Sequence, residues 1–522
     1  MPSWEVSKNF VNQQKTFVDD ALRGLANYNP NVTLSRKCPR VLLRAHDDKK
    51  VSIVAGGGSG HEPYAAGYVG TGMLTAAVVG NIFASPPARH VLTALEETRS
   101  NAGTVVILIN YTGDRLNFGL GVERFKAQDN DVRILTVADD VSIASHTRTG
   151  SRGLAGAVLL MKIIGAKAEN GDSLDVIEKY AGYVTRYLNT MGCALVPCNI
   201  PGKGRMVEMP SDQYELGFGI HGEAGKERIG MESAKDIVNR LMKDIIPEYS
   251  RERRMVILLN NLGGVSQIEM TLLQGEILRW AAENNSKLVR LYSGTYMTSL
   301  DCHGISITAL DVSWDSDLVF HLEIPYFKKV IESVCEEMFL REDELNNLDS
   351  VAGDGDCGTT FTVAANAVLR KVEKGQLCLS NVQKCMEQLA TIFEENVGGT
   401  TGALYSIMFS VTATHVSSFS PQALMRGFKA ATDAVEKHGG AREGDRTMLD
   451  TLRSAVNMQK SRTCTDWDRA VYAAEEGARK TATMRAAAGR ASYTSAKHHK
   501  KPDAGAMALA YWMKTIHRES DY

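Results

Sequence analysis

Three carboxylates stand in a glycine-rich run of thirteen residues, "LDSVAGDGDCGTT" (348 to 360), as Asp349, Asp354 and Asp356. The run also matches the dinucleotide fingerprint G-x-G-x-x-G at Gly353, Gly355 and Gly358. In that fingerprint the backbone approaches an anionic pyrophosphate, which bare aspartates would repel. A divalent cation between carboxylates and phosphates removes the conflict. An EF-hand does not fit, because the sixth position from Asp354 is Thr359 and the twelfth is Ala365, where glycine and glutamate are required. No G-x-x-x-x-G-K-[ST] loop occurs in the chain. A surface turn rich in Asp and Gly is the alternative for this stretch alone.

A second glycine cluster favours the phosphate reading. "ENVGGTTGALYS" (395 to 406) runs Gly398, Gly399, Thr400, Thr401 and Gly402 directly into a helical pattern. Free N–H groups at a helix start, with two hydroxyls, form a phosphate cradle without lysine. Carboxylates elsewhere would hold Mg²⁺, which prefers hard oxygen ligands. Earlier in the chain, "VAGGGSGHEP" (54 to 63) is a glycine loop after a β-type run and ends in His61, and "ELGFGIHGEAG" (215 to 225) carries His221. The second contains G-x-G-x-x-G at Gly217, Gly219 and Gly222, but without a strong preceding strand. A lone histidine is most often a satisfied structural group.

The elements that must position these residues fall into two textures. Up to about residue 320, β-branched runs alternate with helical stretches. "TVVILIN" (104 to 110), "FGLGVERFKAQ" and "VRILTVADD" follow one another as a βαβ unit, and "RMVILLNNLGG" (254 to 264) is a buried strand entering a loop. From Pro325 onward no strand pattern is evident. Eight segments, from "YFKKVIESVCEEMFL" to "AGAMALAYWMKTIHRE", carry apolar residues at three- and four-residue spacing, several starting at Ser, Thr or Asp. The expected fold is an α/β domain over residues 1–324 followed by an all-α domain over 325–522.

Size and composition agree with this division. A chain of 522 residues exceeds one hydrophobic core. Hydrophobic content of 44%, charged content of 23% and a net charge of -2 are ordinary for a globular protein. They give no reason to expect a nucleic-acid or anionic-membrane partner. No run of eighteen apolar residues suggests a membrane span, and the N-terminal stretch lacks a signal-peptide pattern. Nine dispersed cysteines without a C-x-x-C pair read as reduced thiols, so the expected compartment is cytoplasmic.

Taken together, the motifs resemble the dihydroxyacetone kinase family in its single-chain, ATP-dependent form (triokinase/FMN cyclase in animals), over nearly the whole chain. "GGGSGHEPYAAGYVGTGML", "FASPP", "NYTGDRLNFGL" and "GTYMTSLDCHGISIT" are similar to the substrate-binding K domain. "AGDGDCGTT", "NVGGTTGALY", "GDRTMLDTL" and "AGRASYTSAKHHKKPDAGAMA" are similar to the nucleotide-binding L domain. The resemblance implies two α/β subdomains followed by a barrel of eight antiparallel helices. It implies that His221 captures a short ketone or aldehyde as a covalent hemiaminal, a step closed to glycerol, which has no carbonyl carbon. Asp114 would be the acid/base carboxylate and His61 its companion, with Gly57, Gly58, Ser59 and Gly60 against the substrate. Asp349, Asp354 and Asp356 would hold two Mg²⁺ ions, or Mn²⁺ in their place, on the phosphates of ATP. Gly398, Gly399, Thr400, Thr401, Gly402, Thr447, Met448, Arg490 and Asp503 would contact the nucleotide.

The implied activity is ATP-dependent phosphorylation of dihydroxyacetone and of D-glyceraldehyde. Two alternatives stay open: splitting of FAD to AMP and cyclic FMN by the same metal site, and a non-catalytic carbonyl-binding regulator. The implied assembly is a homodimer. Two departures from the family pattern stand out. Ile109 occupies the place before "NYTGD" where relatives commonly carry lysine. Loss of a cation contacting the reacting group is expected to cost about 2–4 kcal/mol of transition-state stabilisation. The connector at about 313 to 330 is also shorter than in relatives.

Overall fold

A computed structural model describes residues 9–143, 150–205, 207–246, 253–314, 318, 322, 324–379, 382–416, 421–458, 467–493 and 500–520. The chain forms two compact units, Met1–Leu322 and Glu323–Tyr522.

The first unit contains two six-stranded sheets. The first comprises β1 (Thr33–Leu34), β2 (Val41–Leu43), β3 (Ser52–Ser59), β4 (Ala76–Ile82), β5 (Thr104–Ile109) and β6 (Val132–Val137), in the order β1-β2-β4-β3-β5-β6. Strands β4, β3, β5 and β6 are mutually parallel, as a βαβ reading requires. Their near-continuous apolar runs are buried on both faces by helices α1 (Phe17–Tyr28), α2 (Ala88–Glu97), α3 (Thr112–Lys126), α4 (Gly156–Asn170) and α5 (Leu174–Arg186). β5, α3 and β6 are the βαβ unit expected from residues 104 to 140.

The second sheet comprises β7 (Leu188–Val196), β10 (Gln213–Leu216), β11 (Glu227–Gly230), β12 (Arg254–Asn261), β13 (Lys287–Gly294) and β14 (His303–Asp311), with the small hairpin β8 (Asn199–Ile200) and β9 (Gly204–Arg205) beside it. Its order is β11-β10-β7-β14-β12-β13, and only β12 and β13 pair in parallel. Helices α6 (Ala234–Ile245) and α7 (Gln267–Glu283) cover one face through a core of Leu241, Ile257, Leu259 and Ile277.

The second unit is helical. Eight helices, α8 (Ile324–Leu340), α10 (Cys357–Glu373), α11 (Val382–Asn396), α12 (Gly399–His415), α13 (Pro421–Gly439), α14 (Met448–Asn457), α15 (Trp467–Lys480) and α16 (Ala504–Ser520), each touch the next, and α16 returns to α8. They close a ring around Phe361, Phe393, Tyr405 and Phe409. These are the eight segments whose periodicity is visible in the sequence. Among the described residues a further helix, α9 (Glu342–Asp349), packs against α10 and α16. It escapes the periodicity test because only Leu345 of its eight residues is buried.

Phe118 of α3 is fully buried, and a Cβ on Gly56 of β3 would meet its ring tip at 2.9 Å. Truncation there leaves a cavity beneath the strand that carries the glycine motif. Phe118→Ala should destabilise the first unit by about 3–5 kcal/mol, read as a lower denaturant midpoint with native-like circular dichroism before the transition.

Candidate functional site

In the first unit the expected residues come from both sheets. Gly57, Gly58 and Ser59 lie within β3 rather than in a loop after it, because the strand continues pairing with β4 to Ser59. Side chains are excluded there by close neighbours: a Cβ on Gly58 would meet the backbone nitrogen of Ala84 at 2.7 Å. A Cβ on Gly57 would stand 3.8 Å from both Asp114 carboxylate oxygens, so this backbone borders Asp114. Gly60, at φ +98, turns the chain into His61.

His61 is 1% exposed. Its Nδ1 donates to the carbonyl of Thr298 at 2.8 Å, which fixes the tautomer and leaves Nε2 as a buried acceptor without a partner. Burial, aided by nearby His221, pushes its pKa down to about 3. Asp114, in the first turn of α3, is also buried, and its Oδ1 has no partner. Burial raises its pKa, opposed by a hydrogen bond from Ser85 and by the charge of His221.

His221 enters from the turn between β10 and β11 of the second sheet. Its Nδ1 lies 3.0 Å from Glu223 Oε1, and its backbone N–H donates to Glu223 Oε2 at 2.9 Å. These bonds, with the facing imidazole, hold the Glu223 carboxyl down at about 2 despite burial. A carboxylate acceptor on Nδ1 places the proton there and leaves the Nε2 lone pair for an electrophile. The ring stands edge-on to His61, Phe83 and Tyr111 at centroid distances of 4.7, 5.3 and 4.5 Å. Sequence reasoning missed Glu223, although the H-x-E spacing was its available signal. Ile109 packs into the core at the end of β5, so no cation stands at that position.

In the second unit, Asp349 ends α9, and Asp354 and Asp356 lie in the turn before α10. One oxygen from each falls within 4.8 Å of the others. Asp349 Oδ2 accepts from the N–H groups of Gly355 and Asp356 at 2.8 and 3.1 Å, with Gly355 at φ +77. Three carboxylates of this spacing fit a hard divalent cation.

The remaining expected residues, Arg490 apart, cluster at the starts of alternate ring helices. Gly398 is the N-cap of α12, and a side chain on Gly402 would strike the carbonyl of Val397. Thr400 and Thr401 occupy its first turn. Thr447 caps α14, its hydroxyl accepting from Leu449 N–H at 3.2 Å while Asp450 answers at the Thr447 N–H. Met448 is buried beside Asp503: a Cβ on Gly505 would lie 3.4 Å from Asp503 Oδ1 and 4.0 Å from Met448 Cβ. Asp503 precedes α16 and accepts from Ala506 N–H at 2.9 Å, and burial pushes its pKa up to about 6. Arg490 opens a short 3-10 turn, Arg490–Tyr493, and its side chain lies outside the described residues.

Sequence reasoning also missed Arg446, which is 1% exposed and donates to the Lys501 carbonyl at 2.9 Å. Its Nη1 lies 3.8 Å from Asp503 Oδ2, so a buried cation faces this acidic mouth. The starts of α10, α12, α14 and α16 therefore carry the metal and nucleotide candidates, and helix starts favour anions.

Two family models account for most of the chain: a Dak1 domain over residues 23–327 and a DAK2 domain over residues 351–518. Human triokinase/FMN cyclase is 35% identical, with 98% of this chain and 99% of that protein covered. The chain belongs to the dihydroxyacetone kinase family. Dihydroxyacetone kinase of Pichia angusta is 33% identical, covering 97% of each chain. The dihydroxyacetone kinase of C. freundii in complex with AMP-PNP and Mg²⁺ matches with a TM-score of 0.57 at 30% identity, covering 98% of this chain and 99% of that one. The two-sheet α/β unit followed by a helical unit is the fold of this family. None of the helices among the described residues is long and apolar enough to cross a membrane.

The buried neutral His61 makes a pH prediction. In the unfolded chain the ring ionises near 6.5, and in the folded chain only near 3. Between these values the unfolded state binds more protons, so stability falls as pH drops through that window, by up to about 1.4 kcal/mol per pH unit from this group. Denaturant titrations of His61→Phe between pH 4 and 7 should show a shallower decline than the parent protein. Parallel profiles would count against a neutral buried ring.

Proposed function

We propose that this chain transfers the γ-phosphoryl group of ATP to dihydroxyacetone, and to D-glyceraldehyde, as a member of a family whose named relatives are dihydroxyacetone kinases and triokinases. The observation that carries the reading is the Glu223 carboxylate on His221 Nδ1, which leaves Nε2 nucleophilic. His221 Nε2 adds to the carbonyl carbon as the C=O π bond opens, the carbonyl oxygen takes a proton from solvent, and the Nδ1 proton passes through Glu223 back to solvent, so the hemiaminal is neutral. This bond anchors a substrate too small for many contacts. His61 Nε2 accepts a hydrogen bond from a substrate hydroxyl. Asp114 takes the proton of the terminal hydroxyl as its oxygen attacks the γ-phosphorus and ADP leaves. Collapse of the hemiaminal then frees the phosphorylated triose and returns His221.

In the second unit, Asp349, Asp354 and Asp356 would hold two Mg²⁺ ions, or Mn²⁺, on the triphosphate, supported by the Mg²⁺ and AMP-PNP bound by the C. freundii relative. Bound metal neutralises the phosphate charge and orients the transferred group. The N–H groups at the start of α12 face the phosphates, with Thr447, Met448, Arg490 and Asp503 completing the nucleotide site. A second reading, cleavage of FAD to AMP and cyclic FMN, is favoured by the triokinase/FMN cyclase relatives and would use these metals without His221. The thiols of Cys38, Cys193, Cys198, Cys302, Cys335, Cys357 and Cys385, outside any disulfide, support a cytoplasmic location.

An ADP-release assay with ATP and dihydroxyacetone, glyceraldehyde or glycerol, run beside an FAD incubation read for AMP and cyclic FMN, separates these activities, and a carbonyl-binding regulator would give none of these products. His221→Ala should abolish turnover of dihydroxyacetone and leave Mg·ATP binding intact, with loss of a substrate-mass adduct in intact-protein mass spectrometry. Unchanged turnover in that variant would remove covalent capture.

The proposal extends to a homodimer in which one chain's first unit receives phosphate from the partner's second unit, supported by the short connector. Mixing inactive His221→Ala protein with inactive Asp354→Asn protein should then restore up to about half of wild-type activity after subunit exchange. Verified heterodimers without recovery would place transfer within one chain.

A further inference from the structure

The His221 turn is held from outside by one guanidinium. Arg152 Nη2 donates to the Gly217 carbonyl at 2.6 Å and to Ser142 Oγ at 3.1 Å, and Nη1 reaches the Ala224 carbonyl at 3.4 Å. Gly217 and Ala224 are the two shoulders of the turn that carries His221 and Glu223. Arg152 Nε donates to Asp140 Oδ2 at 2.7 Å, and the Asp140 side chain is fully buried. Asp140 follows β6 of the first sheet, whereas the turn belongs to the second. The residues that let the turn lie this close are glycines. A Cβ on Gly219 would meet Arg152 Nη1 at 2.6 Å, and one on Gly217, at φ +77, would meet Ser142 Cβ at 2.6 Å.

His61 and Asp114 come from the first sheet and its helix, and His221 from the second sheet. Their mutual placement therefore depends on what ties the turn to the end of β6. We propose that Arg152 is the positioning residue of the covalent site: its planar fork, anchored on Asp140, clamps both shoulders of the turn and sets His221 over His61 and Asp114. The inference rests on the kinase reading above and adds a residue that never touches substrate. Lysine cannot replace it, because one ammonium cannot reach Asp140 and two carbonyls in a plane. Displacements of about 1 Å in such sites cost on the order of a hundredfold in rate.

The test compares the full-length Arg152→Lys variant, which keeps the charge beside Asp140, with the parent protein. Three readouts are taken: occupancy of the dihydroxyacetone adduct by intact-protein mass spectrometry, kcat and KM for dihydroxyacetone, and the ¹⁵N signals of the His221 ring. The expected result is at least a tenfold loss of adduct occupancy at low dihydroxyacetone and of kcat/KM. Mg·ATP affinity should stay within twofold, and the His221 signals should lose their single Nδ1–H tautomer. A variant with parental adduct occupancy and ring signals overturns the proposal, as does an equal loss of Mg·ATP affinity, which would mark a general structural defect. If Arg152→Lys does not fold, the isosteric Asp140→Asn, which releases the guanidinium from its anchor, takes the same measurements with the same criteria. If the parent protein itself forms no adduct and turns over no triose, the kinase reading fails, and the ring signals alone decide whether Arg152 positions His221.

Discussion

Asp139 joins the two sheets of the first unit, and the arrangement of that unit's site depends on it. Its carboxylate accepts from the N–H groups of Leu154 and Gly156 at 2.6 and 2.9 Å, and from the Thr190 hydroxyl. Its carbonyl accepts from the Thr190 N–H at 2.7 Å. Asp139, two residues past β6, thus anchors the start of α4 and a strand of the other sheet. Thr190 passes the contact to Thr308 of β14 at 2.8 Å. Because such a buried acceptor is costly when left unsatisfied, the sheets have little freedom to slide at this joint. Residues carried by separate sheets can then meet with fixed geometry.

The two units handle charge in opposite ways. In the first, burial keeps the His61 ring neutral and makes the Asp114 carboxylate a stronger base, and the His221 ring is steered by a single ionised glutamate. In the second, carboxylates are concentrated in one mouth. Asp349 is turned inward onto two backbone N–H groups, and Arg446 opposes Asp503 from a fully buried position. The first arrangement suits addition to an uncharged carbonyl, and the second suits a phosphate already clad in metal.

The parts legible in the sequence were those with local signatures. β5, α3 and β6 could be read because strands buried on both faces are continuous apolar runs. The eight ring helices could be read because each keeps an apolar stripe. The second sheet was poorly legible, since β10 and β11 have only four residues each and join the sheet through the pairing of β10 with β7. α9 was hidden by its polar composition. Motif residues were identifiable by type, but their helpers were not. Arg446 reaches a carbonyl 55 positions away, and Arg152 reaches across sheets to Gly217, 65 positions on. Thr447 and Met448 also show how motif and scaffold overlap, since one caps a helix and the other fills a core.

The alternating order of the helical ring divides its connections into two sets. Those preceding α10, α12, α14 and α16 carry the acidic and glycine-rich motifs, while those following α10, α12 and α14 lie at the far ends of the same helices. Sequence drift, insertions or lengthened turns in the second set leave the first untouched. The helical unit is therefore modular from one end only: its far rim is free to diversify without retuning the chemistry at the other.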